Sequence, residues 1–236
     1  MNYIVALDDG HGQNPATPGK RTPDGYLENY FNHRVKIELI KILKICGFRI
    51  IDCSPELSDT PLSTRVKRAN DNKADIFVSI HFNAYGSDWN SVDGIEVFYY
   101  ENGKYHSKNG KKLATLLYNE IIKGTVQDKR GIKGAKFDVI HYTTMPAALA
   151  EYGFMTNKHE ADLMQDIKFI KECSTETAKG ICKYFGVAYK AETKKDYKTI
   201  LKEVSNYSEI WISFVKAHPE VNLAGLIEML YYHKSN

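Results

Sequence analysis

The chain has 236 residues, of which 43% are hydrophobic and 26% are charged, and its formal net charge at pH 7 is +3. This composition is that of an ordinary globular protein, which excludes disordered and collagen-like classes. So small a net charge also excludes the dense basic surface of a typical nucleic-acid-binding protein, so we expect no nucleic-acid partner.

The predicted elements begin with a strand over residues 3–7, which is followed by a polar turn that contains His11. A loop rich in proline and glycine comes next, and such loops form the walls of sites more often than cores. A helix then begins at Glu28 and repeats apolar side chains about every four residues until Gly47. The helix dipole alone would explain a carboxylate in the first turn, so Glu28 by itself indicates no site.

Two further strands are predicted to end in polar side chains. The β-branched and aromatic run over residues 76–80 predicts a strand buried on both faces, and His81 and Asn83 follow it. A third apolar run, 147–150, ends in Glu151, whose unpaired burial would be costly. Because open α/β sheets place their ligand crevice at the carboxyl ends of strands, we expect His11, His81 and Glu151 at one edge.

The remaining elements alternate between the two kinds of periodicity. We predict a strand over 48–53, a helix over 62–72 capped from within 58–60, a strand over 94–99, a helix over 111–122, a short strand over 139–142, and helices over 160–164 and 167–185. This alternation predicts an α/β fold, a twisted, mostly parallel sheet with helices on both faces. Cys46 and Cys182 fall on apolar helical faces and are expected to act as small core hydrophobes, without a disulfide framework.

The polar side chains at the strand ends fit one kind of chemistry when they are taken together. Two histidines and a glutamate supply the ligand types of an open catalytic zinc site, and another carboxylate is available as general base. Zinc lowers the pKa of its bound water to about 7, so that a nearby glutamate can take the proton at neutral pH. The residue types alone leave open whether Glu28 or Glu151 is the ligand.

Five motifs occur in a definite order along the chain. They are Asp8-Asp9-Gly10-His11-Gly12, Glu28 at a helix start, Arg65 with Ala69-Asn70, Ser79-Ile80-His81-Phe82-Asn83-Ala84, and the segment from Pro146 to Asn157. Over Tyr3 to Val187 the chain resembles the zinc-dependent N-acetylmuramoyl-L-alanine amidases of the amidase-3 type. The resemblance implies that His11, Glu28 and His81 are the zinc ligands and that Glu151 is the catalytic carboxylate. Asp9 stands where the family's first motif usually has proline, a change that retains Gly10 and His11.

The same resemblance implies a reaction and a partner. The chain is expected to hydrolyse the amide between N-acetylmuramic acid and the L-alanine of the stem peptide in peptidoglycan, with zinc-activated water and Glu151 as general base. Asn83 either binds substrate or holds its loop, His141 is a candidate for lining the groove, and His33 is expected to be solvated or structural. Two alternatives remain, a zinc peptidase acting within the stem peptide and a non-catalytic cell-wall-binding module, although the latter would be expected to have lost Glu151 or a ligand.

The composition changes near residue 188, which suggests a division of the chain. We assign 1–188 to the amidase catalytic domain, 189–196 to a linker, and 197–236 to a small all-helical module for oligomerisation or for targeting to a secondary wall polymer. No apolar run approaches a membrane span, and the amino terminus lacks the basic region of a signal peptide. We therefore expect no membrane insertion, synthesis in the cytoplasm, and release to the wall through a holin, as in phage or prophage endolysins; a bacterial amidase released by a lysing cell fits nearly as well.

Overall fold

A six-stranded sheet organises residues 3–191, the part of the chain that the computed structural model describes. The strands are β1 (Ile4–Asp8), β2 (Arg49–Asp52), β3 (Ile76–Asn83), β4 (Ile95–Tyr100), β5 (Lys129–Ala135) and β6 (Ala147–Phe154). Their spatial order is β2-β1-β3-β6-β4-β5, and four of the five pairings are parallel, with β4 and β6 antiparallel. The predicted α/β fold with a mostly parallel sheet is confirmed.

Helices cover both faces of this sheet. They are α1 (Glu28–Ile45), α2 (Leu62–Asp71), α3 (Lys108–Ile121), α4 (Asp138–His141), α5 (Lys158–Leu163) and α6 (Ile167–Phe185). In β3, Ile76 and Val78 belong to the larger core cluster, which includes side chains of α1, α3 and α6, whereas Phe77 belongs to a second cluster with α2 and α4. Because successive side chains of a strand point to opposite faces, the two clusters are the cores on the two sides of the sheet.

Strand β3 lies in the interior of the sheet, between β1 and β6. Its residues 76–80 are completely buried, as the apolar run predicts. In the register of β3 and β6, His81 lies opposite Glu151, and Asp8 at the end of β1 lies opposite Ser79. The parallel strands therefore deliver their carboxyl ends to one edge, where the candidate site lies.

Two sequence predictions about secondary structure are wrong. Residues 139–142, predicted as a strand, belong to the short helix α4 and its carboxyl-terminal cap, since four apolar and aromatic residues are too few to separate the two periodicities. The helix α2 is preceded by Pro61 without a side-chain cap; Asp59 and Thr60, two of the predicted caps, instead accept hydrogen bonds from Arg65.

Strand β5 was not predicted. Its sequence, KRGIKGA, has two glycines and three basic residues, so it shows no apolar alternation. It lies at the outer edge of the sheet, where charged side chains are common because they discourage pairing with other chains.

Three other expectations concern the rest of the chain. Cys46 and Cys182 are free thiols buried in the larger core cluster, as predicted. Within residues 3–191, no helix combines the length and apolarity that crossing a membrane requires. The predicted module at 197–236 and most of the predicted linker at 189–196 lie outside the described residues.

Candidate active site

Three side chains from distant parts of the chain converge at the carboxyl edge of the sheet. They are His11 from the turn after β1, Glu28 at the start of α1, and His81 of β3, and their donor atoms all lie within 4.8 Å of one another. The Nε2 atom of His11 is 3.3 Å from one Glu28 oxygen, and Nδ1 of His81 is 3.0 Å from the other. Within residues 3–191, no other cluster of histidine, cysteine and acidic side chains offers three converging donor atoms.

The ionisation of Glu28 and His11 suits a metal ion, whereas that of His81 is set by its carboxylate neighbours: burial lowers the pKa of His81, but the hydrogen bond with Glu28 and the nearby negative charges outweigh burial and raise it. Burial raises the pKa of Glu28, but the hydrogen bond with His81 and the charges of both histidines outweigh it and hold that pKa well below the usual range. Burial lowers the pKa of His11 to about 4, so its imidazole is neutral at pH 7. An anionic carboxylate and a neutral imidazole are the forms in which these side chains bind metals.

Glu28 is also oriented by contacts that involve no metal. Its Oε1 atom accepts hydrogen bonds from the backbone N–H of Phe82, at 3.1 Å, and from the Asn32 side chain, at 3.1 Å. Asn32 lies one helical turn after Glu28, so both side chains face the sheet. Because these contacts hold the Oε1 atom of Glu28, its Oε2 atom can face the pocket.

Glu151 completes the site from β6. It lies beside His81 in the sheet register, it is buried, and its Oε2 atom has no hydrogen-bond partner among residues 3–191. Burial raises its pKa, against the opposing charge of His81, and the neighbouring carboxylates Glu28 and Glu96 raise it further. An unpartnered buried acceptor is costly, which indicates a group kept ready for a proton or a ligand.

A small open pocket joins these residues. It is lined by His11, Lys20, Glu28, His81, Phe82, Asn83, Ala84, Glu151 and Met155. Its cavity volume is about 120 Å³, the space of a few water molecules. The pocket therefore admits a single functional group, and the rest of any large substrate must lie outside it.

The turn that carries His11 has an unusual backbone. Gly10 has φ +47° and His11 has φ +57°, in the left-handed region that costs energy for a histidine. A Cβ on Gly10 would also clash with the ring of His81, so glycine is required there. The Asn29 amide donates to the backbone oxygens of this turn, and Arg65 donates to the His11 oxygen at 3.1 Å, so the strained turn is held from two sides.

Asp9, which replaces the family's proline, stabilises the same turn by charge. Its carboxylate is 2.9 Å from the fully buried ammonium of Lys36 and 2.8 Å from Nδ1 of His33, and it accepts a hydrogen bond from Ser54. A buried ion pair therefore stands where the usual sequence has a rigid ring. His33 contacts this ion pair and lies outside the cluster of His11, Glu28 and His81.

The two predicted substrate-binding residues lie in different places. Asn83 lines the pocket, where its amide donates to Glu96 at 2.8 Å and its oxygen accepts from the Ala84 N–H, so it holds its own loop. His141 ends α4 and precedes β6, which places it toward the opposite edge of the sheet, stacked on Tyr100 at 4.3 Å. The structure does not bring His141 to the pocket.

The structure adds residues to the site that the sequence analysis does not predict. Lys20 lines the pocket from a loop without periodicity, and no sequence signal distinguishes it from other surface lysines. Asn32 and Glu96 could have been predicted from the sequence. Asn32 lies four residues after Glu28 on the same helix face, and Glu96 is a charged residue within the apolar strand β4.

Known proteins have sequences similar to that of this chain. A family model described as N-acetylmuramoyl-L-alanine amidase matches residues 5–183. The germination-specific N-acetylmuramoyl-L-alanine amidase of Bacillus subtilis (strain 168) is 34% identical over 200 residues, which cover 77% of this chain and 79% of that protein. The endolysin of Bacillus phage SPP1 is 30% identical over 199 residues, or 81% of this chain and 69% of that protein.

A solved structure shows the same fold. It is the catalytic domain of CwlV, an N-acetylmuramoyl-L-alanine amidase from Bacillus (Paenibacillus) polymyxa var. colistinus, with a TM-score of 0.71 and 29% identity. The match covers 79% of this chain and 99% of that one. Sequence and fold thus agree over the residues that build the site, and the chain belongs to the amidase-3 family of N-acetylmuramoyl-L-alanine amidases.

Proposed function

We propose that this protein is a zinc-dependent amidase that hydrolyses the bond between N-acetylmuramic acid and the L-alanine of the peptidoglycan stem peptide. The observation that carries the proposal is the convergence of the donor atoms of His11, Glu28 and His81 within 4.8 Å, beside a carboxyl oxygen of Glu151 that has no hydrogen-bond partner in the described part of the chain. The family membership supports the choice of bond.

The residues present fit a zinc ion. Two imidazoles and one carboxylate are a common donor set for catalytic zinc, and they leave a position for water or substrate. When bound by His11, Glu28 and His81, zinc supplies Lewis-acid activation of the amide carbonyl and of water. Asn32 and the Phe82 N–H keep Glu28 in place, as hydrogen-bond partners behind metal ligands generally do.

Glu151 is the group that moves the proton. Its Oε2 atom accepts a proton from the attacking water and then gives it to the nitrogen of the departing L-alanine. Burial and the carboxylates around it raise its pKa, which lets Glu151 retain the proton between these two steps. Thiol catalysis is unfavourable among the described residues, because the four cysteines are buried and burial raises the pKa of Cys53 to about 12.

Two other functions would use the same residues differently. A zinc peptidase could use the same donor set on a peptide bond, but the family and the amidase relatives favour the muramoyl amide. A purely binding module would not need Glu151 or an intact donor set, and all four side chains are present.

The place of action stays a prediction. We propose release to the wall through a holin, with release of a bacterial amidase by a lysing cell as the alternative; the relatives include both a phage endolysin and a germination-specific amidase of a bacterium. The targeting or oligomerisation role of residues 197–236 is likewise a proposal. The targeting role predicts that deleting them weakens binding to whole cells while hydrolysis of soluble muropeptides continues, whereas unchanged binding would favour oligomerisation.

The test is digestion of purified peptidoglycan, followed by identification of the new chain ends, with and without a chelator. We expect chelator-sensitive release of amino-terminal L-alanine without new reducing sugar ends. A different new amino terminus would establish a peptidase. Wall binding by a zinc-containing protein without any release would establish a binding module.

A further inference from the structure

A buried carboxylate beside the pocket holds two cationic side chains. Glu96 of β4 has a side chain that is only 5% exposed. One of its oxygens accepts a hydrogen bond from Nε of Arg130 at 2.9 Å and another from Nζ of Lys133. Its other oxygen accepts from Asn83 at 2.8 Å. One negative charge thus fixes two positive charges, and the three charged side chains together carry a net positive charge.

These cations lie at the same edge of the sheet as the site. Glu96 is the register partner of Glu151 across the antiparallel β4–β6 pair, and Asn83 lines the pocket. The guanidinium of Arg130 lies 4.8 Å from the ring centre of Phe154, the last residue of β6. The Glu96, Arg130 and Lys133 group is therefore the wall of the site on the side of β4 and β5.

Arg130 and Lys133 keep donors for a further partner. Their side chains are 34% and 40% exposed, unlike that of Glu96. Besides Glu96, Arg130 donates to the backbone oxygen of Asp93 at 3.2 Å, and its charge also acts on the Asp93 carboxyl, which hydrogen-bonds with that of Asp128. A guanidinium has five N–H donors and an ammonium has three. Within residues 3–191, the contacts of these two side chains leave several of those donors open to solvent.

The spacing matches the part of the substrate that follows the cleaved bond. Arg130 and Lys133 reach back from β5 to Glu96, whose strand β4 lies one strand spacing, or about 5 Å, from β6 and Glu151. An extended peptide advances about 3.5 Å per residue. The residue after L-alanine therefore comes within reach of both cations when the scissile amide lies at Glu151.

We propose that Arg130 and Lys133 form a subsite for a carboxylate on the leaving peptide, and that they select stem peptides whose second residue carries a free α-carboxylate. This inference rests on the proposed amidase function. A planar guanidinium pairs with a carboxylate through two parallel hydrogen bonds, and a carboxamide cannot replace that charge. Buried Glu96 is the positioning residue that directs both cations toward the groove.

The test compares two soluble N-acetylmuramoyl tripeptides that differ in a single group. Their second residue is either D-glutamate, with a free α-carboxylate, or D-isoglutamine, with a carboxamide. For the wild-type protein we expect kcat/KM to be about tenfold higher for the carboxylate, through a lower KM. The double substitution Arg130→Gln/Lys133→Gln should bring that ratio to about one, through a selective loss of kcat/KM for the carboxylate.

Two further variants keep the test decisive. Lys133→Gln alone keeps the contact between Arg130 and Glu96, so the buried carboxylate retains a cationic partner. This variant tests the effect on the substrate ratio if the double variant does not fold. Lys136→Gln removes a charge just beyond the far end of β5, and it should leave the substrate ratio unchanged.

The possible outcomes distinguish failure of the proposed subsite from failure of the proposed amidase function. A wild-type ratio near one, or an equal loss on both substrates in the variants, would overturn the subsite and leave the amidase intact. Failure of the zinc-loaded wild-type protein to cleave either tripeptide or intact peptidoglycan would overturn the proposed function, and the subsite with it.

Discussion

The ion pair beneath the His11 turn allows a quantitative test of how this chain compensates for its missing proline. Lys36→Met would leave the buried Asp9 carboxylate with only Ser54 and His33. Breaking a buried pair by removing one partner costs about 3–5 kcal/mol, and we take about 3 kcal/mol because His33 compensates in part. Asp9→Asn should cost about 1.5 kcal/mol, since Lys36 keeps Asp52 and the Ser54 backbone oxygen as partners.

The double substitution Asp9→Asn/Lys36→Met removes both charges at once. We expect a total loss of about 2 kcal/mol, which is about 2.5 kcal/mol less than the sum of the single losses. The free energy of unfolding is measured by urea denaturation of the full chain with a chelator present, so that metal binding does not contribute. Lys67→Met is the matched control, because its partner Asp71 and Lys67 itself are exposed, and it should change stability by less than about 0.5 kcal/mol. Additive single losses, or a Lys36→Met loss no larger than that of the control, would refute the reasoning.

Two further predictions concern a turn and a helix. Gly10→Ala should lower zinc affinity at least about tenfold, because the added Cβ meets the ring of His81; Gly25→Ala, also at a positive φ but in open space, should leave it unchanged. An equal zinc affinity for both variants in a competition titration with a chromophoric chelator would contradict this. Burial and the charge of Glu172 raise the pKa of Glu176 to about 7, from 4.5. The unfolded chain therefore loses a proton that the native protein keeps, and the free energy of unfolding falls as pH rises from 4.5 to about 7. Glu176→Gln should remove this fall, so its stability relative to wild type should be about 2 kcal/mol higher at pH 8 than at pH 4; an equal difference at both pH values would argue against it.

The sequence located the site through features that depend on local pattern alone. The run over 76–80 is apolar at every position but Ser79, which only a strand buried on both faces requires, and a parallel sheet then places the residues after such strands at one edge. The amino-acid sequence alone therefore suffices to predict that His81 and Glu151 lie at the same edge of the sheet. The same rule applied in reverse would have excluded His141 from the pocket, since it precedes β6 and residues before a strand lie at the opposite edge.

Other features depend on contacts between distant residues. Glu28 has the sequence context of an ordinary first-turn acid, and its burial and its contacts with distant residues such as Phe82, 54 residues away, appear only in the folded structure. Strand β5 has no apolar pattern because it lies at the sheet edge, so Arg130 and Lys133 could not be assigned to the wall of the site. Such positions are set by tertiary structure, which a single sequence pattern does not reveal.

The central claim is that His11, Glu28 and His81 hold zinc while Glu151 moves the proton, and a single paired measurement on wild type and Glu151→Gln tests it most directly. Zinc content and the rate of amino-terminal L-alanine release are determined on the same preparations. We predict equal zinc content in both proteins and a release rate about 10²–10⁴-fold lower in Glu151→Gln. A variant that retains its zinc and releases L-alanine at the wild-type rate would contradict the assignment of Glu151.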